Sequence, residues 1–218
     1  MKLLLTSNGI TNKTIAKKLR EMAGKDFSEL KAVFIPTAMN TEPGDKTWFV
    51  ENLNNVYKLG FKEFDIADIS ALPKDKWLPK LEEADIIFCN GGSNFHLINS
   101  VRQSGLFGEI PRLLQNKIWV GASSGGMILA SYQSIKISQE IYEEDLWATQ
   151  DETSLGLVDF HIVPHLNGSG FPKLTEENLR NILKDFNEKV YVIDDNTAIA
   201  VEDEKVEMVG EGKYFVLN

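Results

Sequence analysis

The sequence predicts an α/β protein built on a mostly parallel sheet that helices cover on both faces. Short apolar runs alternate with stretches of helical period, the runs are apolar almost throughout, and Gly, Pro or Asn follows several of them. Continuous apolar runs are typical of strands buried on both faces, and strand–helix alternation is typical of parallel sheets. Ligands of such sheets bind outside the carboxyl ends of the strands.

Five strands and three helical segments are expected before residue 122. The predicted strands cover residues 2–6, 32–35, 64–66, 85–89 and 118–121, and the predicted helices cover 11–23, 45–59 and 94–115, the last interrupted near 105–108. The loops that follow four of these strands contain small and polar residues, at 7–9, 36–38, 90–94 and 121–126. These loops therefore lie at the edge where ligands are expected.

The C-terminal part of the chain has a different pattern. An apolar strand ends at Pro164, a helix is expected at 175–186, and short strands are expected at 190–193, 198–201, 206–209 and 214–217. Short acidic or glycine-containing turns separate the last three strands, which is typical of an antiparallel meander at the end of the sheet. Since no linker, repeat or low-complexity tract interrupts the chain, we expect a single domain over residues 1–218.

Composition argues against several classes of protein. The net charge is −9 without a basic run, which disfavours nucleic-acid binding. No apolar segment has the length of a signal-peptide core or a membrane span. One cysteine allows no intramolecular disulfide, and with three histidines it makes a Cys/His zinc site unexpected. We expect a cytoplasmic monomer or homodimer with no metal, no cofactor and no membrane partner.

The most informative motif is Gly-Ala-Ser-Ser-Gly at residues 121–125, between an apolar strand and a predicted apolar helix. This context is typical of a nucleophile elbow, whose tight strand-to-helix turn requires small neighbours and holds the serine hydroxyl at the sheet edge. We predict Ser123 as the nucleophile. Ser124 is the alternative, because Ala122 and Gly126 satisfy the same size rule around it. A connection that serves only close packing, or a small anion site, would share the motif.

A serine nucleophile needs a base, and the chain offers three histidines. His165 follows the strand that Pro164 ends, so it is the favoured base. His161 lies four residues earlier on the same strand face and stays possible, although a histidine inside a strand is more often structural. His96 begins a helix, where a surface or capping role is the better interpretation.

The sequence offers several candidates for two further parts of the site. These parts are the acid that would orient the base, and the donors that would bind the oxyanion. Candidate acids lie before the histidine strand and after it, at Glu140, Glu143, Glu144, Asp145, Asp194 and Asp195. Asp194 and Asp195 close an apolar strand, but a plain hairpin turn explains them equally well. The oxyanion donors are predicted to be the N–H groups of Ser124 and of Gly92, since glycine allows close backbone approach. The 90–94 loop could instead be only a helix start capped by Ser93 or Asn94.

These residues together resemble one known family. They are Leu-Leu-Leu-Thr-Ser-Asn at 3–8, Phe-Ile-Pro at 34–36, Gly-Gly-Ser-Asn-Phe at 91–95, the 121–125 elbow and Pro-His at 164–165, and they occur along nearly the whole chain in one order. In this order they are similar to peptidase family S51, which contains aspartyl dipeptidase and cyanophycinase. The resemblance implies a three-layer α/β sandwich of the class I glutamine amidotransferase and flavodoxin-like type.

The resemblance also implies roles for particular residues. Ser123 would be the nucleophile, His165 the base and Asp195 the acid, in the chain order Ser, His, acid. Gly92 and Ser124 would supply the oxyanion donors. The candidate substrate-binding residues are Asn94 and Lys173. Asn94 lies in the 90–94 loop, called the glycine loop, and Lys173 follows the loop that begins at His165, called the histidine loop.

Three departures from the family pattern bear on the implied activity. Asp195 stands where the dipeptidase has Glu, so its reach to His165 is one methylene shorter, and Glu140 is the fallback acid. The glycine loop carries Asn90 and Ser93 where Gly and Asn are common. No Arg follows the histidine loop to hold an acidic substrate side chain, and Lys173 does not replace a guanidinium fork.

The resulting functional expectation is a serine exopeptidase that cleaves short peptides through an acyl-enzyme, with no strong expectation of Asp-X specificity. An esterase on the same site and a catalytically impaired binding or regulatory homologue are the alternatives. A cysteine-dependent reaction is the weakest, since Cys89 lies in an apolar strand where a buried thiol is structural.

Overall fold

The computed structural model describes all residues from Met1 to Asn218 and has the predicted mixed α/β architecture. Its central sheet has seven strands in the order β3-β2-β4-β5-β1-β8-β9. The first five strands in sequence pair in parallel, and β8 and β9 extend the sheet antiparallel. The strands are β1 (Lys2–Thr6), β2 (Lys31–Ile35), β3 (Glu63–Ile66), β4 (Ile86–Cys89), β5 (Ile118–Ala122), β8 (Thr197–Glu202) and β9 (Lys205–Gly210).

Helices cover both faces of this sheet, as expected for a three-layer sandwich. Successive residues of β1 illustrate the reason: Leu3 and Leu5 pack in one core and Leu4 packs in the other. The core that contains Leu4 lies under α1 and α2, and the other lies under α3, α4 and α5. The helices are α1 (Lys13–Ala23), α2 (Thr47–Tyr57), α3 (Lys74–Glu83), α4 (Asn94–Gln103), α5 (Leu106–Leu113), α6 (Ser124–Met127) and α7 (Glu176–Ile182).

The C-terminal strands divide between two sheets rather than forming one meander. A second, three-stranded sheet has the order β10-β7-β6, with β6 at His161–Val163, β7 at Val190–Ile193 and β10 at Tyr214–Leu217. The predicted antiparallel pairing is present between β8 and β9, but β10 crosses back to pair with β7. Alternation again explains the burial, because Ile162 faces the main core while Val163 faces a third core that includes residues of α7.

Several helix boundaries differ from the sequence prediction. The predicted 94–115 helix is two helices, separated at Gly105, which adopts φ +82°. Helix α3 was not predicted: its sequence is mostly charged and contains Pro79, and only Trp77 and Leu81, four residues apart, are buried. The C-terminal helix is shorter than expected and begins after the N-cap Thr175.

Strand β1 organises the functional edge of the sheet. It lies between β5 and β8, so that Thr6 is paired with Ala122 on one side and with Ala198 on the other. The residue after β5 is Ser123, and the residues just before β8 include Asp195, so the topology brings both to the end of β1.

None of the helices combines the length and the hydropathy that crossing a membrane requires. The expectation of a single domain over residues 1–218 stays a prediction.

Candidate active site

Ser123 lies at the sharp turn between β5 and α6. Its backbone angles are φ +49° and ψ −117°, a region that L-residues rarely adopt and that costs about 1–3 kcal/mol. The main chain around it is held, because its N–H donates to the carbonyl of Thr6 at 2.9 Å. The Ser123 side chain is therefore placed at the sheet edge, as the predicted nucleophile elbow requires.

The glycines around Ser123 are required by close backbone approach. A Cβ on Gly125 would lie 2.0 Å from the carbonyl oxygen of Cys89, and a Cβ on Gly121 would lie 2.4 Å from that of Gly125. A Cβ on Gly91 would lie 2.8 Å from the Cβ of Ser123. These spacings are shorter than real Cβ contacts, so the size pattern seen in the sequence follows from packing of β4, the elbow and the glycine loop.

The helix after the elbow is shorter than the sequence suggests. Helix α6 ends at Met127 because an incoming segment takes the next carbonyls: the N–H groups of Leu155 and Leu157 donate to Ile128 and Leu129. A four-residue helix has little cumulative dipole. Any stabilisation of negative charge at Ser123 therefore depends on individual N–H groups.

His165 stands next to Ser123, with its Nε2 atom 3.1 Å from the serine Oγ. The strand β6 stops before it at Pro164, and His165 adopts φ +67°, which turns the side chain toward the elbow. The ring is held on its face by Phe171, whose parallel ring lies 4.5 Å away between centroids. The backbone N–H of His165 donates to the hydroxyl of Ser7 at 2.8 Å.

Tyr142 secures the chain just before His165. Its hydroxyl donates to the carbonyl of Pro164 at 3.0 Å, and its ring meets Phe171 edge-on. Burial, together with the negative charge of Asp195, raises the pKa of Tyr142 well above its usual value, so it stays a hydrogen-bond donor.

Asp195 completes a row of three side chains. Its Oδ1 atom lies 2.7 Å from the Nδ1 of His165, so the shorter acid does reach the imidazole. Burial opposes its ionisation, but the hydrogen bonds from His165 and Ser7 and the attraction of His165 outweigh burial and lower the pKa of the carboxyl. Because a carboxylate only accepts, Nδ1 carries the proton and Nε2 is left to accept from Ser123.

The adjacent Asp194 has a different environment. Its carboxylate accepts from the backbone N–H groups of Asn196 and Lys213 and from the Thr197 hydroxyl, so it organises the turn before β8. Asp194 therefore stabilises the hairpin turn, whereas Asp195 contacts His165 and stays the predicted acid. Glu140, the fallback acid, is exposed, and its carbonyl accepts from Lys173.

The two predicted oxyanion donors are brought together by Ser124. Its hydroxyl donates to the carbonyl of Gly92 at 2.5 Å, which ties the glycine loop to the elbow. The backbone N–H of Gly92 has no protein acceptor, and that of Ser124, as the first residue of α6, has none within its helix. This hydrogen bond also engages the hydroxyl of Ser124, which leaves Ser123 as the serine that faces the histidine.

The two candidate substrate-binding residues both have protein partners. Asn94 is buried at the start of α4 and donates to the side chain of Gln133. The ammonium of Lys173 lies 2.7 Å from the Glu143 carboxylate. Lys173 would have to leave this ion pair in order to hold a substrate.

The remaining histidines and the cysteine lie apart from this row. His161 is buried between Tyr132 and Phe186. His96 stacks on Trp147, and burial lowers its pKa. Cys89 is buried in β4, where loss of solvation raises the pKa of its thiol.

Ser7 is the residue at the site to which the sequence analysis gave no role. It is completely buried and lies within hydrogen-bond distance of both Asp195 and the His165 backbone. Its place directly after β1, in a loop already expected at the functional edge, was the available signal.

Comparison with known proteins agrees with the expected resemblance. The sequence model of peptidase family S51 matches residues 3–209 of this chain. The chain belongs to peptidase family S51. It is therefore related to peptidases over nearly its whole length, and the recognition made from its motifs is confirmed.

Several relatives named as peptidases are similar to this chain at modest identity. An uncharacterized peptidase of Listeria innocua is 28% identical over 182 residues, which cover 79% of this chain and 81% of the relative. A protein named peptidase E from Nostoc is 26% identical over 193 residues, which cover 85% of this chain and 75% of the relative.

A solved crystal structure has the same fold. A crystal structure from Listeria monocytogenes, with a provisional peptidase E name, superposes with a TM-score of 0.80 at 22% identity and covers 97% of this chain and 98% of its own. At this identity the likeness shows the fold.

Proposed function

We propose that this member of family S51 is a serine exopeptidase that cleaves short peptides through an acyl-enzyme. The observation that carries the proposal is the unbroken row Ser123–His165–Asp195, with 3.1 Å between the serine Oγ and Nε2 and 2.7 Å between Nδ1 and the carboxylate. Side chains in this row match the general pattern of nucleophile, base and orienting acid.

The proposed reaction follows from the direction of these hydrogen bonds. His165 Nε2 takes the proton of Ser123 as the serine oxygen attacks the peptide carbonyl. The same proton then passes from Nε2 to the leaving amine, and the acyl group stays on Ser123. A water molecule that gives its proton to Nε2 attacks the acyl-enzyme, and return of that proton to Ser123 releases the acid product.

Negative charge on the carbonyl oxygen would be stabilised by the N–H groups of Gly92 and Ser124. Removing one such donor in serine proteases lowers kcat about 100- to 1000-fold. The hydrogen bond from the Ser124 hydroxyl to the Gly92 carbonyl and that from the Ser93 N–H to the Ala38 carbonyl at 3.0 Å support the backbone around these donors.

We propose substrates without a requirement for an acidic first residue. The ammonium of Lys173 is paired with the Glu143 carboxylate. The segment that carries Glu143 also contains Glu140 and Asp145. A substrate carboxylate would meet these acidic groups without a free arginine. Dipeptides with a neutral or basic first residue fit this charge distribution better than Asp-X dipeptides.

Hydrolysis of a dipeptide panel by the purified protein tests the proposal. We expect release of amino acids from neutral or basic X-Leu dipeptides, less from Asp-Leu, and loss of turnover in Ser123→Ala beyond a small background. Turnover by Ser123→Ala at the wild-type rate would overturn the assignment. Hydrolysis of short acyl esters alone would move the activity to the esterase alternative.

The impaired-homologue alternative loses its main support. It rested on the shorter acid, and the 2.7 Å distance between Asp195 and His165 argues that the reach is sufficient.

A further inference from the structure

Ser7 occupies a central place between the parts of the active site. It follows β1, the strand that lies between β5, which leads to Ser123, and β8, which follows Asp195. Its side chain has no solvent exposure. A buried hydroxyl at this position must find its hydrogen bonds within the site.

The Ser7 hydroxyl has two well-formed hydrogen bonds. It accepts from the backbone N–H of His165 at 2.8 Å and donates to Oδ1 of Asp195 at 2.6 Å. The same Oδ1 atom receives the Nδ1 proton of His165 at 2.7 Å. The ring Nδ1 atom itself lies 3.3 Å from the Ser7 oxygen, so all three groups meet at one point.

We infer that Ser7 is a positioning residue of the proposed hydrolase, which locks the Asp195 carboxylate and the His165 main chain into one arrangement. This inference rests on the proposed function. Ser7 touches no reacting atom, and it acts through the acid and the base.

The partial solvent exposure of Asp195 explains why its side chain needs a positioning residue. Its side chain keeps 38% of its solvent exposure, whereas that of His165 keeps 12%, so water competes for the carboxylate more than for the ring. Aspartate side chains have several staggered rotamers. A charge-assisted hydrogen bond from a fully buried hydroxyl favours the rotamer in which Oδ1 lies beside Nδ1 of His165.

The rate of fluorophosphonate labelling of Ser123 provides a readout that requires no knowledge of the substrate. We expect Ser7→Ala to lower the second-order labelling rate about 10- to 100-fold, the effect of losing one hydrogen bond to a charged group. The control is Ser154→Ala, which removes another buried serine with hydrogen bonds to Gln133 and Ile128. It should cost folding stability without changing the labelling rate.

A double-mutant cycle separates positioning from a general structural role. Since one of the two Ser7 hydrogen bonds is made to Asp195, adding Ser7→Ala to Asp195→Ala should lower the labelling rate by a smaller factor than Ser7→Ala does in the wild-type protein. Multiplication of the two single effects in the double variant would contradict the inference.

Proton NMR of histidine-labelled protein gives a readout that does not depend on activity. The chain has three histidines, so the Nδ1 proton of His165 is identified by its loss in His165→Ala. We expect this resonance to shift or broaden in folded Ser7→Ala and to stay unchanged in Ser154→Ala.

An unchanged resonance together with a labelling rate within about two-fold of wild type would overturn the role of Ser7. Absence of labelling in the folded wild-type protein would instead contradict the proposed function. The NMR comparison would then still decide whether Ser7 holds His165 and Asp195.

Discussion

At the scale of single residues, the site depends on an unusual backbone conformation and on glycines at positions where a larger residue would clash. The elbow combines a strained Ser123 with glycines that lie against neighbouring carbonyls. Two adjacent aspartates make different contacts, since Asp194 accepts a hydrogen bond from the Lys213 N–H and Asp195 contacts the Nδ1 atom of His165. The local sequence pattern left both aspartates open and only the family resemblance favoured Asp195, because the division depends on which carboxylate meets which N–H group in space.

Replacing Gly125 by Ala should damage the elbow, whereas replacing its neighbour Gly126 should not. The new Cβ at Gly125 would lie 2.0 Å from the Cys89 carbonyl oxygen, but at Gly126 its nearest atom would be 3.5 Å away. Overpacking costs about 1–3 kcal/mol, so we expect Gly125→Ala to lower Tm by several degrees and to abolish labelling of Ser123. Equal Tm and labelling in both variants would show that the close approach is not required.

The thiol of Cys89 should be inert in the folded protein. It is 1% exposed, and burial raises its pKa, so little thiolate forms. We expect no reaction with a thiol reagent such as iodoacetamide until the protein unfolds, and full Ser123 labelling after such treatment. Modification of the native protein, or inactivation by the reagent, would contradict this placement.

At the scale of secondary-structure elements, α4 begins with two caps. The Ser93 hydroxyl accepts from the N–H of His96, and the Glu144 carboxylate accepts from the N–H of Phe95 and the hydroxyl of Ser93. Burial raises the pKa of Glu144, partly offset by the hydrogen bonds from Phe95 and Ser93. The sequence predicted Ser93 as a possible cap, but Glu144 is 49 residues from Phe95 and no local signal connects them.

Replacing Glu144 by Gln should change how stability depends on pH. Since the folded-state pKa is raised, the native protein binds this proton more tightly than the unfolded chain does. The contribution to stability is complete below the usual Glu range near pH 4.3 and is lost as pH rises through the raised value. We expect the free energy of unfolding of Glu144→Gln minus that of wild type to be larger at pH 7 than at pH 4, because only the wild-type protein loses stability as this carboxyl ionises.

Glu143→Gln is the matched control, because its side chain is 72% exposed and its partner Lys173 is a surface group. Urea unfolding at both pH values measures the difference. The same pH dependence in the Glu144→Gln and Glu143→Gln comparisons would contradict the role of burial.

Local patterns were sufficient for most strands and insufficient where tertiary contacts decide. Continuous apolar runs gave β1, β2, β4 and β5 to within a residue, because strands buried on both faces have few alternatives. Helix α3 was missed because only two of its residues are buried and Pro79 lies within it. The pairing of β10 with β7 could not be read from hairpin spacing, since it depends on where the second sheet forms.

At the scale of the whole molecule, the second sheet supports the acid loop, which is the turn of residues 194–196 just before β8. Strand β10 pairs with β7, and the N–H of Lys213, just before β10, donates to Asp194 at 2.6 Å. The family match ends at residue 209, so this support lies beyond the matched region. Asp195 is thus held from one side by Ser7 and from the other by the turn that β10 completes.

Deleting residues 213–218 should lower both Tm and the rate of Ser123 labelling. The deletion leaves the edge of β7 unpaired and removes the Lys213 N–H from Asp194. Val216→Thr is the control, because it changes an exposed β-branched side chain on β10 and keeps the backbone pairing. A truncated protein with unchanged Tm and labelling would show that β10 does not support the acid loop.

Intact-mass spectrometry after treatment with a fluorophosphonate asks whether His165 activates Ser123. We expect a single adduct on the wild-type protein that is absent from Ser123→Ala and strongly reduced in His165→Ala. No adduct on folded wild-type protein, or an adduct that persists in Ser123→Ala, would contradict this activation.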